Sequence, residues 1–337
     1  MKVRQICMMV LLGLGVIPAM QAQTFDKLWK EVEQAEKKSL PKTVIKLTDE
    51  IYQKGEKERN SAQMLKAYMW RMKTQDILTP DSFYVGLRDL EQWAKQTEQP
   101  MDRVILHSLI AEFYANYAAD NQWQLRQRTE IVGETPSADI REWTANMFVE
   151  KVRTNVKEAL ADSLLLLKTS SLNYIPFVEL GETSEYYHHD MYHLLASRAI
   201  RALNQIERLE RGSFNGITAS PVKQDIINIY ERMTDAYETA GLKEGYVLTM
   251  LQYLEWKRGN DNKLQPVQLK KGLGEWTADT YNAALDELKR QFKSEPICAE
   301  VYLAQVRYAV KKMQQVNALQ LCDEAIRLYP GYRRINA

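Results

Sequence analysis

Apolar residues recur three and four positions apart along almost the whole chain, a spacing that builds one face of a helix and not of a strand. Met64, Leu65, Tyr68, Met69 and Met72 mark one such face, and Leu106, Leu109, Ile110, Phe113 and Tyr117 another. Ile226, Ile229, Tyr230, Met233 and Tyr237 form a further face, and Val247, Met250, Leu251 and Leu254 the next. The run Ile140, Trp143, Met147, Val152, Val156 and Leu160 predicts one long helix that starts at Ile140 and is capped by Ser137 and Asp139. Alternation by two is nearly absent. Residues 174–180 are the one plausible extended stretch, and Pro176 confines it to an edge or a loop.

Punctuation agrees with the periodicity. Only 14 Gly and 10 Pro interrupt 337 residues, too few for a turn-rich all-β chain. Pro80, between Thr79 and Ser82, suits the start of the helix carrying Leu87, Leu90 and Trp93. Thr183, Ser184 and Glu185 are expected to open a helix running through Leu195 to Ile206. The main loops are expected near 167–183, 209–222 and 259–278. Helix should exceed about 60% of the mature chain, well above the ordinary share.

The sharpest local pattern lies at 296–330. Ala318, Cys322, Ala325 and Pro330 follow the small, bulky, small, Pro order of the second helix of a tetratricopeptide repeat. Val301, Ala304 and Tyr308 take the matching places on the first helix. Residues 29–52, broken at Leu40 and Pro41, look like a more degenerate copy. The middle of the chain lacks a regular period. The expected fold is therefore all-α: irregular tetratricopeptide-like helical hairpins stacked as an α-solenoid. With a turn near 311–315, Cys298 and Cys322 would sit out of register by roughly 9 Å along the helices. That puts their Cα atoms roughly 12 Å or more apart across the hairpin, beyond the reach of about 7 Å for a disulfide. Cys322 is expected to be buried and Cys298 to be the more accessible of the two.

Residues 1–22 read as a signal peptide. Lys2 and Arg4 precede an apolar stretch from Ile6 to Ile17, Pro18 breaks it, and Ala22 offers a small residue for cleavage. Cys7 lies inside the apolar stretch and is badly placed for lipid attachment. The expected organisation is a signal peptide at 1–22 and a helical repeat domain at 23–337 of an exported chain. Lys and Arg number 45 against 44 Asp and Glu. This balance disfavours nucleic acid as a partner and gives no electrostatic reason to bind a membrane surface.

One cluster could carry chemistry. In the run from Tyr186 to His193, His189 and His193 stand four apart, and on one helix both rings could face a metal. The order His189, Asp190, His193 even imitates a zinc-protease helix, with Asp where the general base Glu should stand. A third protein ligand is needed, and His107 is the only histidine outside the cluster. The favoured reading is a packed aromatic helix start. Gly272 and Gly274 make no nucleotide loop, and no histidine lies near Cys298 or Cys322 in sequence to activate a thiolate. The expectation is a chain with no catalytic, metal or cofactor site, and not an enzyme.

Several stretches resemble the N-terminal helical region of large exported bacterial alpha-2-macroglobulin family proteins. They are residues 24–30, 78–84, 121–128, 177–193 and 321–330. The resemblance runs over the mature chain and implies a helical region that precedes a series of β-sandwich macroglobulin domains. The family's thioester motif, Cys-x-Glu-Gln, is absent from these residues, so protease trapping does not transfer. What the resemblance implies is an envelope location and a scaffold or interaction role, with protein partners or downstream macroglobulin domains of a longer chain. The alternative is a free-standing tetratricopeptide-type protein that binds a peptide or protein.

Overall fold

The computed structural model describes residues 17–79, 82–129, 137–210, 220–260 and 280–335. Residues 1–16 of the expected signal peptide, Pro80 and Asp81, and most of the expected loops at 209–222 and 259–278 lie outside them. Helix accounts for 80% of the structure, and there is no strand among the described residues. The chain is all-α.

Fourteen α-helices follow one another in the described residues. They are α1 (Ile17–Lys37), α2 (Pro41–Glu58), α3 (Ser61–Leu78), α4 (Ser82–Gln96), α5 (Pro100–Asp120), α6 (Gln122–Gln127) and α7 (Ala145–Ala159). The second half holds α8 (Ser163–Lys168), α9 (Met191–Ile206), α10 (Pro221–Ala240), α11 (Lys243–Gly259), α12 (Thr280–Gln291), α13 (Cys298–Lys311) and α14 (Gln315–Leu328). The boundary after Ala22 expected for signal cleavage falls inside α1, whose backbone runs through it.

Local chemistry sets the ends. Pro41, Pro100 and Pro221 open α2, α5 and α10, where a missing N–H costs nothing. Ser220 accepts the Lys223 N–H at 3.0 Å and caps α10. That helix stops at Gly241, whose φ of 70° suits a residue without a Cβ.

Packing follows chain order. From α1 to α5 each helix rests on the next; α5 also meets α7 and α9, and from α9 each helix again meets its successor. The apolar faces read from the sequence point inward: Leu65, Tyr68 and Met72, Leu106, Leu109 and Ile110, and Ile226, Ile229 and Met233 are all buried. The helix α5 buries residues from Met101 to Ala118 on more than one face. A second, smaller core gathers Phe25, Trp29, Val32, Val44 and Ile51 from α1 and α2 with Ala67 of α3.

Two local expectations are corrected. The long helix does not start at Ile140. Residues Ile140–Glu142 form a 3-10 turn, Trp143 is extended, and α7 begins at Ala145. The indole holds the break: its Nε1 donates to the Ser137 carbonyl at 2.7 Å, and its ring stacks on Tyr114 with centroids 5.3 Å apart. Asp139 caps the 3-10 turn instead of a long helix. Residues 174–180 form a loop, one of the two forms that Pro176 allows, and Phe177 and Val178 both donate backbone bonds to the Tyr174 carbonyl.

At the C-terminus the hairpin turn falls at 312–314, within the expected 311–315, and Ala318 and Ala325 are buried as the repeat spacing requires. Both cysteines are free. Their burial is the reverse of expectation. Cys322 is half-buried on the flank of α14, while Cys298 is fully buried where α13 meets the end of α12, its Sγ 3.6 Å from the Lys289 carbonyl oxygen.

Candidate functional site

The histidine cluster does not lie on one helix. Ser184–Tyr187 form a 3-10 turn. His188 and His189 then take left-handed backbone, with φ of 51° and 55°. The helix α9 starts only at Met191, not at 183–185 as the sequence suggested. Two consecutive non-glycine residues at positive φ are costly, roughly 1–3 kcal/mol each, and hydrogen bonds hold them. The His189 N–H donates to the Ser184 carbonyl at 2.8 Å. The His189 carbonyl accepts the Ser171 N–H at 2.7 Å and the Ser171 hydroxyl at 2.8 Å. Met191 N–H donates to the Thr169 carbonyl at 3.0 Å. The 169–171 segment is thereby tied to 189–191, around an isolated bridge between Ser170 and Asp190.

Asp190 is the N-cap of α9. One carboxylate oxygen accepts the His193 N–H at 2.7 Å, and the Tyr237 hydroxyl donates to the pair of oxygens at 3.1 and 3.3 Å. Burial raises the Asp190 pKa to about 6, against the hydrogen bonds that favour its charged form. His193 lies in the first turn of α9 with its ring flat on Tyr187, and burial lowers its pKa to about 4. The pKa values of Tyr187, Tyr192 and Tyr237 are all raised, chiefly by burial, so these phenols stay neutral.

This geometry removes the zinc-protease resemblance. His189 precedes the helix, so the spacing of four no longer puts two rings on one face. Asp190, at the place of the general base, is occupied as a helix cap. His107 lies on α5, where its Nδ1 meets Asn155 Oδ1 of α7 at 2.8 Å. Among the described residues no three His, Cys, Asp or Glu side chains come together as a metal-holding group. Burial pushes the Cys298 thiol pKa up, the wrong direction for a nucleophile.

A cleft of about 780 Å³ lies elsewhere, lined mainly by α9, α11 and α13. Its wall carries a band of rings. Tyr230 lies 6.1 Å from Trp256, and Tyr281 lies 5.0 Å from Tyr308. Six charged side chains surround them: Glu255, Arg258, Glu300, Arg307, Lys311 and Arg334. This site went unmarked in the sequence reading, because its rings and cations come from separate helices. The usable signal was the adjacency of rings and cations, Trp256 beside Lys257 and Arg258, and Tyr308 between Arg307 and Lys311.

The chain matches no protein-family model, and no significantly similar curated protein or solved structure is found.

Proposed function

We propose that the chain is a non-catalytic helical scaffold, an interaction module of stacked hairpins arranged as a solenoid, with its α13–α14 hairpin docked on another protein surface. One observation carries this reading. The terminal hairpin leaves an apolar face uncovered: Met313, Val316, Leu319 and Ile326 are 77%, 72%, 66% and 48% exposed. Clustered exposed apolar side chains mark protein contacts more often than isolated ones do. In a stack of hairpins, this face is the surface on which the next element would rest. Packing in chain order supports the solenoid arrangement.

The reading agrees with the resemblance to the leading helical region of exported bacterial alpha-2-macroglobulin proteins. On that basis the covering surface belongs to downstream macroglobulin domains or to a protein partner in the periplasm or at the cell surface. No described helix is long and apolar enough to cross a membrane. A second reading, a free-standing tetratricopeptide-type binding protein, draws on the cleft between α9, α11 and α13.

The test replaces Val316 and Leu319 with Lys and follows the protein in native extracts by size-exclusion chromatography. The wild type elutes well above the 39.2 kDa of the chain alone. The variant, with an unchanged circular-dichroism spectrum, shifts to a smaller species. Co-elution of the two at 39.2 kDa overturns the reading, and co-elution at a larger size removes the separate partner and leaves a downstream domain of the same polypeptide.

A further inference from the structure

Two of the four bases around the cleft already have acids. Arg258 pairs with Glu255, and Arg334 with Glu300 at 3.1 Å. Both carboxylates are engaged further: Glu255 accepts the Tyr281 hydroxyl at 3.1 Å, and the buried Glu300 accepts the Tyr332 hydroxyl at 3.0 Å. Arg307 and Lys311 remain. They stand one turn apart on α13, both exposed, and neither forms an ion pair among the described residues. Lys311 acts on Glu255 only through space, helping to hold its pKa down. Like charges at this spacing cost a helix a few tenths of a kcal/mol, roughly 0.2–0.5. A bound anion would remove that cost.

The surroundings narrow the anion. Tyr308 sits between the two cations in sequence and faces Tyr281. Across the cleft, the Trp256 indole is fixed by its Nε1 donating to Asn204 Oδ1 at 3.1 Å. Gln252, Ser197 and Thr183 supply polar edges to the same opening. Cations beside rings and amide-matching polar groups suit a peptide better than a polyphosphate backbone. The near-zero net charge of +1 provides no broad field for nucleic acid. The volume lies in the range of ligand pockets, roughly 300–1,000 Å³.

We propose that this cleft binds an acidic peptide segment, its carboxylates on Arg307 and Lys311 and a neighbouring apolar or aromatic side chain against Trp256 and Tyr308. The proposal rests on the interaction-module reading and names the chemistry of one partner.

The test uses short fluorescein-labelled peptides that pair glutamate with leucine, phenylalanine or tyrosine, and a matched set with glutamine for glutamate. Fluorescence anisotropy follows the titration with the purified protein. The acidic set binds at least about tenfold more tightly than the glutamine set. That preference disappears in the double variant Arg307→Gln, Lys311→Gln and persists in the control Lys57→Gln. Trp256→Ala weakens the aromatic peptides more than the leucine ones. Equal binding of the two sets, an unaffected double variant, or binding of short single-stranded DNA in place of either peptide set overturns the proposal. These results are independent of the α14 face. Loss of the acidic preference with that face still docked removes the cleft proposal alone.

Discussion

The Tyr187 and His193 rings lie face to face, with centroids 3.6 Å apart and planes 7° from parallel. Tyr187 ends the 3-10 turn and His193 lies in the first turn of α9. The stack therefore clamps the left-handed corner at His188 and His189 from both sides. The His193 Nδ1 is buried with no hydrogen-bond partner among the described residues, which marks the ring as packing material. His193→Ala should destabilise the fold by about 2–4 kcal/mol through lost ring burial and stacking. His193→Phe should stay within about 1 kcal/mol of wild type. Urea unfolding followed by circular dichroism separates the two. Equal losses would mean that the imidazole nitrogens matter and the stack does not.

Asp190 and His193 give opposite pH dependences over one window. The Asp190 pKa is raised to about 6 in the fold, from an unfolded value near ~3.9. Its contribution is therefore full below pH ~4 and lost as pH rises through about 6. The His193 pKa is lowered to about 4 from an unfolded value near ~6.5. The folded state then binds fewer protons there, so stability rises with pH from about 4 to about 6.5. Each shift corresponds to on the order of 3 kcal/mol, and the two largely cancel. Asp190→Asn keeps an N-cap acceptor and removes the falling branch, so its stability should rise steeply across the window. His193→Phe should fall instead. Parallel profiles for the two variants would show that neither group is buried as described.

Thiol chemistry should report the terminal hairpin. In a chain beginning at Gln23, denaturing and non-reducing titration should find two free thiols, Cys298 and Cys322. In the folded protein Cys322 should react first and Cys298 only as the protein unfolds, because Cys298 is 0% exposed and its thiol pKa is raised. Mass spectrometry after a short pulse of iodoacetamide identifies the order. Faster labelling of Cys298 would place the α12–α13 junction wrongly.

Helical periodicity made most of the fold legible. The faces of α3, α5, α10 and α11 were read correctly because their apolar residues repeat over several turns. The errors fall where a single side chain overrides the period. Trp143 keeps the helical spacing in sequence, yet its indole is bound to Ser137 and stacked on Tyr114, which breaks the helix. Asp190 and the two histidines before it also fit a helical pattern. The start was misplaced because the cap is Asp190, whose carboxylate accepts the His193 N–H, while Thr183 makes no side-chain cap bond. Cys322 was expected to be buried because it takes the bulky position of the repeat pattern, whereas the described residues cover α14 on one side only. The cleft was hidden for a different reason: it joins α9, α11 and α13, and no local spacing shows that their rings and cations converge.

The uncovered face of α14 is the centre of the functional reading, and photo-cross-linking tests it most directly. A benzophenone amino acid replaces Leu319 in the protein expressed in its native cell, with the exposed Lys57 as control position. After irradiation, Leu319 should give one dominant cross-link, to a β-sandwich domain of the same polypeptide or to a single envelope protein, and the Lys57 position should not. Diffuse labelling equal to that from Lys57 would leave the face in solvent and contradict the account.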